Sequence, residues 1–255
     1  MTLGANPMKV VTHSDFHLVY NNDPAAARGR IASIWEAIET EADFILAAPA
    51  ETEQIEAVHS KVHIANVARQ GIYAIAALAA GGTMQAALLG LTGPSFALVR
   101  PPGHHAYPDQ SFGYCYFNNV AIALEHLKKA GLIKTALLLD FDLHRGDGTE
   151  AILNNRSYAC IHNPAAADRR GYLKEIETVL ASIHVDFIAV SAGFDNHILD
   201  WGGLLTTEDY HEIGRLLFKA RRRLGCGCFA TLEGGYHNQI LGESVRAFLR
   251  GLDGR

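Results

Sequence analysis

The sequence predicts a single α/β domain over residues 1–255, with a mainly parallel sheet held between two layers of helices. Three observations predict it. Short apolar runs rich in β-branched and aromatic residues recur along the chain. Segments with helical periodicity lie between most of them. Glycine-punctuated polar clusters follow directly on the ends of several runs. Strands apolar on both faces that alternate with helices imply a parallel sheet covered on both sides.

In chain order, the first strand is Lys9–His13 (KVVTH), followed by helical spacing over Arg28–Thr40. Gly71–Leu91 is apolar enough to be tested as a membrane span, but alanine dominates it and Gly81, Gly82, Thr83 and Gln85 interrupt its middle. Two buried helical pieces meeting at the glycine pair are expected instead. Phe96–Arg100 reads as a strand and Asn118–Ala130 as a helix, with Asn118 as N-cap and Gly131 as the stop. Strands follow at Thr135–Phe141 and Tyr158–His162, then a helix over Gly171–Ile183 and a strand at Phe187–Ser191. The next helix covers Thr207–Arg223, with Thr207 as N-cap and Gly225 as its stop, before a strand at Phe229–Glu233 and a helix over Gln239–Leu249. The basic triplet Arg221–Arg223 falls in a last helical turn, where cations complement the helix dipole.

Composition narrows the function. The chain is 49% hydrophobic and 19% charged, an ordinary globular balance with enough apolar residues for a large core. A net charge of −5 and a pI near 6.2 give no reason to expect nucleic acid or an anionic membrane as partner. Cys115, Cys160, Cys226 and Cys228 are too scattered for a disulfide framework and read as buried or incidental thiols. The opening MTLGANPMKVV lacks the apolar core of a signal peptide, so a soluble, cytoplasmic protein is expected.

The polar clusters carry the chemistry. Phe96–Arg100 runs into PPGHHA, Thr135–Asp140 into FDLHRGDG, Phe187–Val190 into SAGFDNH, and Phe229–Thr231 into LEGGYH. In a parallel sheet these strand ends share one edge, and ligands bind in the crevice outside it. Asp142 and His144 stand two apart, so on an extended strand end both side chains face one side and make two ligands of a divalent metal. Asp195 supplies a third, and three protein ligands leave a position for water, whose lowered pKa makes it a nucleophile. His104 and His105 follow a rigid Pro-Pro-Gly turn; one of them can act as proton carrier, with Asp140 and Asp147 as orienting carboxylates. Tyr236 follows two glycines and can reach the crevice to stabilise an oxyanion. Tyr114 can wall it, and Gly113 offers a carbonyl to a substrate N–H.

In this order and spacing, RPPGHHA, FGYCYFNNVAIA, DFDLHRGDGTE, SAGFDNH and LEGGYH resemble the signature of the histone deacetylase and acetylpolyamine amidohydrolase family, here in a short form of bacterial type. The likeness runs from about Ile31 to Gly235, and ETEQIEAVHS (Glu51–Ser60) belongs to it. The resemblance implies the arginase/deacetylase fold, Zn²⁺ on Asp142, His144 and Asp195 (a ligand set whose chemistry also suits Fe²⁺ or Co²⁺), and His105 with Asp147 as general base and acid. It further implies electrostatic assistance from His104 with Asp140, carbonyl polarisation by Tyr236, and a channel for the acyl-amine stem at Gly113 and Tyr114. A structural K⁺ around Asp140, Asp142, His144, Cys160 and Ile161 is also implied.

Arg145 stands where that family usually has a second histidine, Tyr114 where phenylalanine is common, and Cys160 where a serine hydroxyl often helps hold the K⁺. The excursion after Tyr158–His162 is reduced to NPAAADRRGY, and the loop near Asn66–Gly71 is trimmed, so a shallower, more open pocket is expected. The expected activity is metal-dependent hydrolysis of an acyl-amine bond, such as that of acetyl-lysine or an acetylpolyamine. The alternatives are a ureohydrolase with two metals and a non-catalytic binder of acyl-amines on the same fold.

Overall fold

A computed structural model describes residues 7–255. The signal-peptide reading of the first residues therefore falls largely outside the described part. The elements are β1 (Met8–Thr12), α1 (Arg30–Ile38), β2 (Ala42–Leu46), α2 (Thr52–Ile55), α3 (Lys61–Arg69), α4 (Tyr73–Gly90), β3 (Ser95–Ala97), α5 (Asn119–Lys129) and β4 (Ala136–Asp140). They continue with α6 (Asp147–Leu153), β5 (Ala159–His162), α7 (Arg169–Ser182), β6 (Phe187–Ala192), α8 (Thr207–Leu224), β7 (Gly227–Leu232) and α9 (Asn238–Asp253).

The seven strands form one sheet in the order β2-β1-β3-β7-β6-β4-β5, and every pairing is parallel. The central strands β3, β4 and β6 are buried along their whole length, as expected where helices cover both faces. One helical layer is α1, α9, α8 and α7 packed in series; the other gathers α2, α3 and α5 around α4, with α6 against α5. This is the three-layer α/β/α arrangement of the arginase/deacetylase fold.

Sequence punctuation accounts for most helix ends. Asn118 caps α5 by accepting the Ala121 N–H, Gly131 follows that helix at φ +70°, and Gly225 ends α8 in the left-handed region. The N-cap of α8 is Thr206 rather than Thr207, because only Thr206 completes a reciprocal box: Asp209 Oδ2 accepts the Thr206 N–H at 2.8 Å. Arg223, in the basic triplet, donates to the carbonyls of Leu180 and Ile183, tying α8 to the end of α7. Of the cysteines, Cys115, Cys226 and Cys228 are buried thiols and Cys160 is exposed.

The larger correction concerns Gly71–Leu91, within which Tyr73–Gly90 forms one unbroken helix, α4, instead of two pieces. The glycines do not break it; they let it approach its neighbours. A Cβ on Gly81 would lie 2.0 Å from the Ala48 carbonyl oxygen, and one on Gly82 would lie 3.0 Å from Val99 Cγ1. Thr83 satisfies its hydroxyl on the Ala79 carbonyl, and Gln85 accepts the Ala48 N–H. The helix is long and apolar enough to cross a membrane, yet here it packs against β1, β3, β7 and α5.

Candidate active site

Four neighbouring strands deliver the polar loops: β3 leads into Arg100–His105, β4 into Phe141–Asp147, β6 into Gly193–Asp195 and β7 into Glu233–Tyr236. The expected convergence on one sheet edge is present.

Asp142, His144 and Asp195 each offer a donor atom within 4.8 Å of the other two. His144 Nδ1 lies 3.3 Å from Asp142 Oδ1 and 3.2 Å from Asp195 Oδ2. Backbone donors fix the carboxylates: Gly234 N–H donates to Asp142 Oδ2, and Leu143 N–H to Asp195 Oδ1. Gly193 is obligatory here, since a Cβ would lie 2.1 Å from Asp142 Oδ2.

The set fits a divalent cation. Asp195 Oδ2 is buried and makes no hydrogen bond of good geometry, even with His144 Nδ1 nearby. A buried carboxylate oxygen facing a second carboxylate needs positive charge between them. Burial and the Asp142 charge push Asp195 up to about 6. Burial also opposes ionisation of Asp142, but the His104 charge and hydrogen bonds from His144 and Gly234 outweigh it and hold that carboxyl low. Contact with Asp142 and then Asp195 lifts His144 to about 10, so a cation bound by this imidazole would take the place of its proton. Two hard oxygens and one imidazole are a donor set for zinc or a similar ion.

The histidine pair stands beside it, with ring centroids 4.1 Å apart. His104 Nδ1 is 3.1 Å from Asp140 Oδ2, and His105 Nδ1 is 2.6 Å from Asp147 Oδ1; both expected pairings are present. Burial disfavours charge on either ring. At His104 the charges of Asp142 and Asp140 prevail and raise its pKa well above the ordinary imidazole value. At His105 burial and the His104 charge prevail over Asp147 and lower it. The two adjacent rings are thus shifted in opposite directions, His104 toward the cation and His105 toward the neutral form.

A pocket of about 450 Å³ opens onto these groups, with Gly113, Tyr114, Gly234 and Tyr236 in its lining. Gly113, at φ +52°, brings the backbone against His105: a Cβ there would lie 2.4 Å from the ring's Cδ2. The Gly113 carbonyl also accepts a weak bond from the Cys115 thiol at 3.4 Å. Tyr114 is the only described non-glycine residue with positive φ, at +66°, a strained conformation for a tyrosine. Burial, then the Asp142 charge, keeps the Tyr236 phenol protonated. The His144 side chain is left 43% exposed. A hollow of similar size, about 470 Å³, lies by Trp35 and Phe44, and none of these site residues lines it.

For the expected K⁺ residues, Asp140 spends its oxygens on His104 and on the Asp142 N–H. Cys160 is exposed and pairs with Leu137, and Ile161 pairs with Leu138.

Four residues escaped the sequence reading. Glu233 is fully buried and accepts the N–H groups of Gly103 (2.7 Å) and His104 (3.1 Å), holding the histidine turn from below; burial pushes it up to about 7. Arg30, 1% exposed, donates to the carbonyls of Gly235 (2.7 Å) and Glu233. Asp200 accepts the N–H groups of Tyr236 (2.7 Å) and His237 (2.8 Å), and Trp201 stacks on the Tyr236 ring at 4.1 Å. Glu233 sits inside the quoted motif LEGGYH, a signal that was present; Arg30 lies in a helical run and gave none.

Fold and site together define a three-layer α/β enzyme whose centre suits a divalent cation and acid–base hydrolysis. Comparison with known proteins makes this specific. A histone deacetylase domain model matches residues 25–164 and 160–252. A probable deacetylase of Methanothermobacter thermautotrophicus is 33% identical over 96% of this chain and 91% of its own length. The polyamine deacetylase of Mus musculus is 32% identical over 67% of this chain and 32% of its own length. A histone deacetylase-like amidohydrolase of Pseudomonas aeruginosa is 43% identical over 34% of this chain and 23% of its own length. The chain belongs to the histone deacetylase family and is an enzyme of the deacetylase and amidohydrolase class.

Proposed function

We propose that this protein hydrolyses the amide of an acylated amine, with zinc held by Asp142, His144 and Asp195. The observation that carries the reading is the meeting of that donor set with the His105–Asp147 pair in one pocket. A divalent ion there supplies Lewis acidity toward water and an acyl oxygen.

The chain's own groups do the rest. His105 spends Nδ1 on Asp147, so its Nε2 is the free base that takes the proton of the attacking water. The same nitrogen returns the proton to the leaving amine as the C–N bond breaks. His104, a cation braced by Asp140, adds positive charge behind the reacting carbonyl. Tyr236 stays protonated and donates to the acyl oxygen as negative charge builds there.

Fluorogenic acyl-lysine peptides of several acyl lengths, assayed with zinc and with a chelator, test the reading. Release that stops with chelator and returns with zinc is expected. No release from any of them under metal-replete conditions would favour a non-catalytic binder.

A further inference from the structure

We infer that Tyr107 is a positioning residue for the proton-transfer pair: its hydroxyl keeps the Asp147 carboxylate aimed at His105 from outside the pocket, and the end of the Glu51–Ser60 segment braces it there. The inference rests on the amide-hydrolase reading above.

The main chain at Asp147 is anchored without Tyr107. Asp147 opens α6, where the Thr149 N–H donates to the His104 carbonyl at 3.0 Å. Gly148 lets that first turn press on the histidine loop, since a Cβ there would lie 2.5 Å from the His105 carbonyl carbon. The Asp147 side chain is 38% exposed, and a carboxylate beside water can turn about its own bonds. Its Oδ1 is held by His105 Nδ1 at 2.6 Å and by the Gly148 N–H at 3.0 Å. Its Oδ2 accepts from the Tyr107 hydroxyl at 2.9 Å. With both oxygens engaged, the carboxylate cannot rotate off the imidazole without breaking bonds on each side. Burial opposes ionisation of Asp147, but the bonds from His105 and Tyr107 outweigh it and hold the carboxyl below its usual range. The bond to Asp147 in turn keeps the Tyr107 phenol protonated, as a donor must be.

Tyr107 is itself braced. It stands outside the pocket lining, so it acts through Asp147 and not on the substrate, and its N–H donates to the Gln110 carbonyl at 3.0 Å. His59 Nε2 accepts the Asn118 N–H at 2.8 Å, so the ring carries its proton on Nδ1 and donates it to the Tyr107 carbonyl at 2.9 Å. Burial, then the neighbouring His63, lowers His59 to about 3 and keeps it in the neutral form that this pair of bonds requires. The Ser60 N–H donates to the Pro108 carbonyl at 2.8 Å. His59 and Ser60 thus fix two consecutive carbonyls of the loop whose hydroxyl reaches Asp147.

Tyr107→Phe keeps the ring and removes the donor. On an acyl-lysine peptide cleaved by the native zinc enzyme, kcat should fall about three- to tenfold, the effect of one hydrogen bond, with KM and zinc content little changed. Asp147→Ala closes a double-mutant cycle. In that background Tyr107→Phe should have no further effect on kcat, whereas a packing role would act equally in both. A second readout needs no turnover. In protein labelled with ¹⁵N-histidine, the His105 Nδ1–H, assigned by its absence from His105→Gln, should exchange with water about threefold faster or more in Tyr107→Phe. Equal kcat, a loss additive with that of Asp147→Ala, or an Nδ1–H that is undetectable in the native protein or exchanges no faster in the variant would overturn the inference. If the native enzyme cleaves no acyl-lysine peptide, the hydrolase reading falls, and the exchange rate alone decides whether Tyr107 holds the pair.

Discussion

The Nδ1 of His105 lies 2.6 Å from Asp147 Oδ1, while Tyr107 holds the other carboxylate oxygen at 2.9 Å. That contact fixes the ring's orientation and leaves Nε2 for the proposed proton transfer. Asp147→Asn keeps an acceptor for the ring but removes the charge that stabilises the protonated imidazole. A fall in kcat of about 10–100-fold is expected, with KM and zinc content little changed. Unchanged turnover would remove Asp147 from the mechanism.

Tyr236 is placed from three sides, by Trp201 on its ring, Arg30 above it and Asp200 on its backbone N–H. Its ring position survives loss of the hydroxyl, so Tyr236→Phe isolates the donor. Turnover should drop about 10²–10³-fold with metal content intact. Equal rates for the two proteins would place the oxyanion donor elsewhere.

His105 is a base only when neutral, and burial together with the His104 charge lowers its pKa. Activity is therefore present above that lowered value and lost as pH falls through it, which puts the acid limb of kcat/KM below about pH 6.5. Asp147 works in the opposite direction and raises His105, so Asp147→Asn should move the limb further toward acid. The profile is measured at saturating zinc. A limb above about pH 6.5, or one shifted upward by Asp147→Asn, contradicts the assignment.

The sequence reveals the centre more fully than its supports. Asp142, His144, Asp195 and the histidine pair were legible because each follows an apolar strand, and parallel strand ends share an edge. Asp200 was not, and Glu233 was passed over inside LEGGYH, because their work is to accept backbone N–H groups, a role that spacing alone does not display. The edge strand β2 was missed for a similar reason: Ala42–Leu46 is half-exposed and includes Asp43, unlike the buried runs that announced the other strands. Short α2 and α6 carry too few turns to show a period.

Asp142 and Asp195 are buried side by side, so an ion that neutralises them should stabilise the fold as well as the chemistry. One equivalent of zinc per chain is expected, with chelation abolishing hydrolysis and lowering the Tm. Free zinc at a thousand times its Kd would add about 4 kcal/mol of stability. Asp195→Ala should cut zinc well below one equivalent. Two equivalents in the native protein would revive the ureohydrolase alternative.

Gly81 tests why α4 is continuous. Alanine there gains about 1 kcal/mol of helix propensity. Its Cβ, however, would fall 2.0 Å from the Ala48 carbonyl oxygen and 2.4 Å from the Ala50 nitrogen, backbone atoms that cannot rotate aside. Forcing the helix off that segment costs about 1–3 kcal/mol or more, so overpacking outweighs propensity. Gly93 provides the control, since a Cβ there meets nothing within 4 Å. Gly81→Ala should lower the Tm by several degrees, whereas Gly93→Ala should stay within about 0.5 kcal/mol of the native protein. If urea unfolding showed Gly81→Ala to be as stable as Gly93→Ala, the glycine pair would be a tolerated irregularity of the helix and not the means by which α4 seats against the Ala48–Ala50 segment.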